Sequence, residues 1–181
     1  LALTLYGDLD ISILDEMPPG RQKINTQHVK PAYAFEFVRR EIQSGSQAYI
    51  VYPLVEESDK TELKAAVQEA ERLAREVFPE FKIGLIHGQM KTKEKEDTML
   101  KFYSGEYQIL VATTVIEVGI DVPNATVMVI EHSDRFGLAT LHQLRGRVGR
   151  GQKQSYCFLL GECKTEEAKR RVRVMTETND G

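Results

Sequence analysis

The sequence predicts an α/β protein of three layers, a mainly parallel sheet flanked by helices. Three observations carry this. Short apolar runs alternate with longer segments of helical periodicity. One of those runs, Ala48 to Val55, is apolar almost throughout, the pattern of a strand buried on both faces. Each run is also separated from the next by a stretch long enough to cross over, which parallel neighbours require.

The 181 residues, 41% hydrophobic and 28% charged, allow one ordinary globular domain with a real core. A net charge of -3 argues against a general electrostatic binder of nucleic acid, so any such contact must come from a local patch or from another domain. Cys157 and Cys163 form no CxxC pair, which leaves neither a disulfide framework nor a zinc site to propose and points to a reducing compartment. No apolar run approaches a membrane span and no signal peptide is visible, so a soluble intracellular protein is expected. The chain opens at Leu1 without a methionine and closes on Asn179-Asp180-Gly181, as a piece of a longer protein does.

In order, Gly7-Asp8 interrupts the apolar start, and alternation of Leu9, Ile11 and Ile13 predicts a short strand before Pro18-Pro19-Gly20. Asp15-Glu16 imitates the strand-then-acid pattern that holds magnesium in ATPases. No GxxxxGK[ST] loop exists in the sequence to serve such a site, so the pair reads as a strand end. Arg21 to Val29 is polar and extended. Pro31 then opens a helix to about Gln43, with Ala34, Phe37, Val38 and Ile42 as its buried stripe and Gly45 as its stop. After the strand from Ala48 and an acidic loop, Glu56 to Asp59, a helix runs from Thr61 to about Phe78 with Leu63, Ala66, Val67, Ala70, Leu73, Ala74 and Val77 inward. Lys82 to His87 is a strand, Thr92 to Tyr103 a helix, and Tyr107 to Thr113 and Thr126 to Ile130 are further strands. Leu138, Leu141, Leu144 and Val148 predict a helix over 138–148, Ser155 to Leu160 a last strand, and Thr165 to about Met175 a basic helix.

The loops after Val55, Ile86, Val111 and Ile130 leave the C-terminal ends of strands, the edge where open α/β sheets bind ligands. His87 lies in one of them and is a candidate base, although a lone histidine without a carboxylate or thiol pattern reads more simply as a loop contact. At another strand end the hydroxyls of Thr113 and Thr114 can bond a phosphate or sugar. Gly119 there permits close backbone approach and Asp121 can accept from ribose hydroxyls; an ordinary strand end and turn is the competing reading.

The densest chemistry is Gln143 to Gly151, with three arginines and three glycines in nine residues. On a helix, Arg147 and Arg150 share a face, and two guanidinium forks side by side suit polyphosphate. A basic helix end favoured by the dipole is the alternative. A dinucleotide loop is excluded, because the glycines follow a helical pattern and not a strand.

Gln143, Gly146, Arg147, Gly149 and Arg150 fix the residue type at five of eight positions and resemble motif VI, the arginine-finger motif of superfamily 2 helicases and translocases. Ala112-Thr113-Thr114 with Gly119-Ile120-Asp121-Val122-Pro123 resembles motif V, and His87-Gly88-Gln89-Met90 is similar to the motif IVa segment. Leu1 to Leu14, Met17 to Arg21 and Tyr52 to Ser58 closely resemble the RecG family of bacterial ATP-dependent DNA helicases. The stretch Asp134 to His142 is nearly shared with the transcription-repair coupling translocase Mfd.

The resemblance implies a RecA-like, P-loop NTPase-like domain, the second lobe of a two-lobed motor. Residues 1–29 would lead in from the preceding lobe, 30–163 form the lobe, and 164–181 begin a C-terminal helical element. Gln143, Arg147 and Arg150 are implied to be catalytic, with Arg150 the arginine finger, and Gly119 and Asp121 to lie toward the nucleotide. Thr113, Thr114, His87 and Gly88 are implied to touch the nucleic-acid backbone, and no metal ligand is expected in this chain. ATP and Mg2+ would be held mainly by a first lobe. The implied partners are branched DNA and the first lobe and wedge domain of the same protein, in a cytoplasmic monomer. Two rivals remain, an Mfd-like translocase and a non-catalytic nucleic-acid or partner-binding module.

Overall fold

Ile24–His28, inside the polar stretch read only as extended, is a strand (β1) at one edge of the sheet. Its polarity follows from that position: Ile24 and Thr26 face inward and the other residues do not. The computed structural model describes residues 23–53, 59–113 and 120–178, with the side chains of 59–63 excepted. The expected strand at Leu9 to Leu14, the Asp15-Glu16 pair, most of the acidic loop, and Thr114 and Gly119 lie outside the described residues.

Helix α1, Pro31–Gln43, leads to β2, Gln47–Val51. Helix α2, Asp59–Arg72, continues through a π turn at Leu73–Val77 and is followed by β3, Ile83–Ile86. Helix α3, Thr92–Tyr103, precedes β4, Ile109–Ala112, and a long link leads to β5, Ala125–Ile130. After a single 3-10 turn at Ser133–Arg135 come α4, Leu138–Arg145, then β6, Ser155–Leu159, and α5, Glu166–Glu177. The sheet order is β1-β6-β5-β2-β4-β3, and every pairing is parallel.

The central strands are buried on both sides, so their alternate residues build two cores. Tyr49, Val51, Leu110, Met128 and Ile130 face α3, α4 and α5, which add Phe102, Leu141, Leu144 and Met175. Ala48, Ile50, Val111, Val127 and Val129 face α1 and the end of α2, which add Val38, Leu73 and Phe78. A fully buried Phe of this kind contributes about 1.5–3 kcal/mol relative to exposure. The π turn shifts the inward phase of its helix. Ala74, inward by α-helical spacing, is exposed, and Phe78 is carried under α1, where Arg39 lies 5.3 Å from its ring centroid. The aromatic Phe37 is only half-buried, packed with Tyr156 and Phe158 on the same side of the sheet.

Strand order reverses between β2 and β5. The chain leaves β2 for α2 on one side of the sheet and leaves β5 for α4 on the other, so the C-terminal ends of these two neighbours open a crevice. Three layers around a parallel sheet are the fold class expected from the sequence.

Candidate functional site

The sequence-predicted residues gather in two places, at opposite ends of the strands. The first lies where α4 ends. Its C-cap is Gly146, so Arg147 and Arg150 do not share a helix face as the expected helix over 138–148 required. The chain leaves through tightened bonds, Arg147 N to the Leu144 carbonyl at 3.0 Å and Val148 N to the Arg145 carbonyl at 3.2 Å. It then turns at Gly149, whose φ of 80° lies in the left-handed region. Its N–H donates to Ser155 Oγ at 2.9 Å, which fixes the turn to the start of β6. Gly151 passes so close to the carbonyl of Pro123 that a Cβ there would meet the oxygen at 2.5 Å.

That packing sets the turn beside the link entering β5, and Asp121 on this link meets Arg150. Arg150 Nη1 donates to Asp121 Oδ2 at 3.1 Å, and its Nε donates to the Gly146 carbonyl at 3.0 Å. The pair is half-exposed, with side-chain exposures of 32% and 57%, so its own contribution to stability is about 0–1 kcal/mol. Burial pushes the phenol of Tyr49, on β2, well above its usual range, with the charges of Arg147, Asp121 and Arg150 as lesser influences. A glycine-made turn thus holds Arg150 against Asp121 and carries Arg147 two residues after the end of α4. Gln143 is exposed on α4.

Arg145, which the sequence did not distinguish from its neighbours, is fully buried behind this turn. Its Nη1 donates to the carbonyls of Met175 at 2.9 Å and Thr178 at 2.6 Å and to Thr26 Oγ1 at 3.2 Å. It therefore joins α4 to β1 and to the end of α5. Burial and the neighbouring Arg145 charge lower the pKa of His142, whose Nδ1 lies 3.1 Å from Arg145 Nη2.

The second place is the C-terminal edge of the sheet. His87 and Gly88 form a turn after β3, in which Gln89 N donates to His87 Nδ1 at 3.2 Å. Thr113, at the end of neighbouring β4, donates its N–H to the Ile86 carbonyl at 3.2 Å and is 3% exposed. Thr113 also lines a cleft of about 370 Å³ at the crevice between β2 and β5, with Tyr52, Glu69, Arg72, Glu131, His132 and Arg135 among the other walls. Tyr52 Oη donates to Glu69 Oε2 at 2.8 Å, and Arg72 holds the same carboxylate at 3.1 Å. Burial acts to raise the Glu69 pKa, but the hydrogen bonds from Arg72 and Tyr52 outweigh it and the net shift is downward. Glu131 is shifted upward, chiefly by burial, against the opposing charge of His132. His132 itself takes a left-handed backbone, φ 49°.

None of these other wall residues stood out in the sequence. Glu131-His132 follows β5 directly, so its strand-end position was a usable signal. Glu69 and Arg72 were not readable, since a charge pair three apart on a helix looks like any solvated face. Among the described residues no group of three or more His, Cys, Asp or Glu is placed to hold a metal ion, and no helix is long and apolar enough to cross a membrane.

The helicase conserved C-terminal domain matches residues 30–152. Along its whole length the chain is 57% identical to the ATP-dependent DNA helicase RecG of Thermotoga maritima and 53% identical to that of Synechocystis sp.. It spans about a quarter of such relatives, 24% and 22% of these two. A solved structure of RecG bound to a three-way DNA junction superposes with a TM-score of 0.77 at 51% identity, over 99% of this chain and 24% of that one.

Proposed function

Since the chain belongs to the helicase conserved C-terminal domain family and resembles RecG from end to end, we propose that it is the second motor lobe of an ATP-dependent helicase acting on branched DNA. Stalled replication forks and Holliday junctions are the substrates meant. The observation that carries the reading is the turn after α4, which carries Arg147 and holds Arg150 against Asp121. Similarity over the full chain, and not only over Asp134 to His142, favours RecG over an Mfd-like translocase.

The two cations fit a polyphosphate. The sequence contains no GxxxxGK[ST] loop, so ATP and Mg2+ are held mainly by a partner lobe, and this chain contributes charge from across the cleft. ATP supplies the phosphoryl group and the charge that spreads over its oxygens during transfer. Arg150 is the finger that stabilises this charge, an effect of about 10³–10⁵ in rate where measured, and Arg147 supports the phosphates. Gln143 completes the catalytic set, and Gly119 and Asp121 border the nucleotide.

Thr113, His87 and Gly88 at the opposite edge contact the nucleic-acid backbone, and Thr114 is assigned the same role, a contact that positions without reading sequence. Arg72 and Arg135 bring positive charge to the same cleft. A state of the lobes that binds both ligands better than the other is populated by them, and turnover releases it. The protein is a cytoplasmic monomer whose other partners are its own first lobe and wedge domain. This chain alone neither hydrolyses ATP nor unwinds DNA.

DNA-stimulated ATPase of the full-length protein, wild type beside Arg150→Ala, tests the assignment. We expect kcat to fall about a hundredfold or more while ATP binding, titrated separately, stays near normal. Unchanged turnover returns the arginine pair to a basic surface turn.

A further inference from the structure

The contact between Asp121 and Arg150 goes beyond a shared neighbourhood. Arg150 spends two of its three nitrogens on the protein itself, Nε on the Gly146 carbonyl and Nη1 on the Asp121 carboxylate. A phosphate oxygen approaching this guanidinium meets a competitor already in place. The two acceptors differ in how readily they yield. The Gly146 carbonyl belongs to the C-cap of α4, fixed by a helix whose Leu141 and Leu144 are buried in the core. Asp121 is a surface side chain, 57% exposed, in a salt bridge of the class that contributes about 0–1 kcal/mol. Strength of that order suits a contact that must break on each cycle.

We propose that Asp121 is a positioning residue that holds the Arg150 finger in a resting place and gives it up to the γ-phosphate. The assignment rests on the reading of Arg150 as a finger. Without DNA the lobes close only transiently, Arg150 is then divided between Asp121 and the nucleotide, and the fraction on the nucleotide sets the rate. Once DNA favours the closed state the finger is fully engaged, and the rival acceptor no longer matters. Asp121 thereby restrains turnover selectively in the absence of DNA. An exposed pair shifts such a partition by up to about fivefold, which sets the size of the effect.

The test is ATPase of the full-length protein, with and without DNA, for wild type, Asp121→Asn, Arg150→Ala and the double variant, each checked by thermal melting. Asp121→Asn keeps the shape and removes the charge. We expect its DNA-free kcat to rise about two- to fivefold, its DNA-stimulated kcat to change less, and the stimulation ratio to fall by a similar factor. In the Arg150→Ala background the same change is expected to do nothing, because its effect passes through Arg150. DNA-free turnover that stays level or drops overturns the proposal, and a raised KM with no gain in kcat assigns Asp121 to the sugar instead. A rise that persists without Arg150 also overturns it, yet leaves the finger reading standing. Failure of the finger reading shows separately, as wild-type turnover in Arg150→Ala alone.

Discussion

Replacing Arg145 tests whether the arginine turn is held from behind. The side chain is fully buried and serves β1, α4 and α5 at once. The Met175 and Thr178 carbonyls lie at the C-terminal end of α5, where backbone acceptors lack helical donors and the dipole is negative. Arg145→Ala strips the guanidinium from both carbonyls, at roughly 1–3 kcal/mol each, and empties the space of about two methylenes at ~0.8 kcal/mol each. Against this, a buried cation no longer has to be desolvated, which returns several kcal/mol. The balance is a loss of about 2–5 kcal/mol, a large part of the ~5–15 kcal/mol of a typical domain. Arg145→Met keeps the stem and is expected to be milder by about 2 kcal/mol. Urea melts give the total, and amide exchange locates it: protection is expected to fall first in α5. An alanine variant within about 0.5 kcal/mol of wild type, with α5 protected as before, refutes the argument.

Two further outcomes follow from the structure. Burial raises the Glu131 pKa, aided by Glu69 and opposed by His132, so the folded state binds this proton more readily than the unfolded chain does. Stability is then lost as pH rises through the folded pKa and regained below the unfolded value of about 4.3. Glu131→Gln is therefore expected to raise Tm at about pH 8 and to lose that advantage in acid, and thermal melts that show an equal gain at every pH discount burial as the cause. Gly151→Ala drives a methyl against the Pro123 carbonyl, a backbone atom that cannot swing aside. We expect a loss of about 1–3 kcal/mol, seen as a drop in Tm of roughly 2–12 °C; an unchanged Tm means that the link into β5 can move away from the turn.

The elements with strong periodicity were legible almost to the residue, as in α3 at Thr92–Tyr103 and α1 at Pro31–Gln43, because one apolar face and clear boundary residues specify them. β1 was not, since an edge strand with two inward residues carries little apolar signal. Apolar spacing overextends the helix after Leu138 for a different reason. Val148 is buried and at helical spacing from Leu144 and Leu141, yet it reaches the core from a turn, because Gly146 and Gly149 let the chain tighten and reverse while its side chain stays inward. Spacing records which residues are buried and not the backbone that buries them. Among the candidate site residues the sequence singled out the arginine turn and Asp121 but could not pair them, for they are 29 apart in the chain. It also gave no means to separate Arg145 from Arg147 and Arg150: three arginines in six residues have one chemistry, and only the tertiary neighbours make the first of them an internal anchor.

The separation of the two regions also constrains how they can influence each other. The cleft at the C-terminal edge and the arginine turn at the opposite end are joined by β5, which runs from the link carrying Asp121 up to Glu131, and by α4, which follows Arg135 at the cleft and ends beside Arg147. Eight residues of helix span about 12 Å. Leu141 and Leu144 pin that length into the core, so α4 cannot bend to absorb a shift at one end without disturbing close-packed neighbours. Arg145 adds a second restraint by fastening the same end to α5. Asp121, by contrast, is an exposed side chain on the link, and its ion pair can break without displacing α4. α4, packed through Leu141 and Leu144, sets where the arginines stand, and in the proposed cycle the weak Asp121 contact sets how readily Arg150 leaves its place.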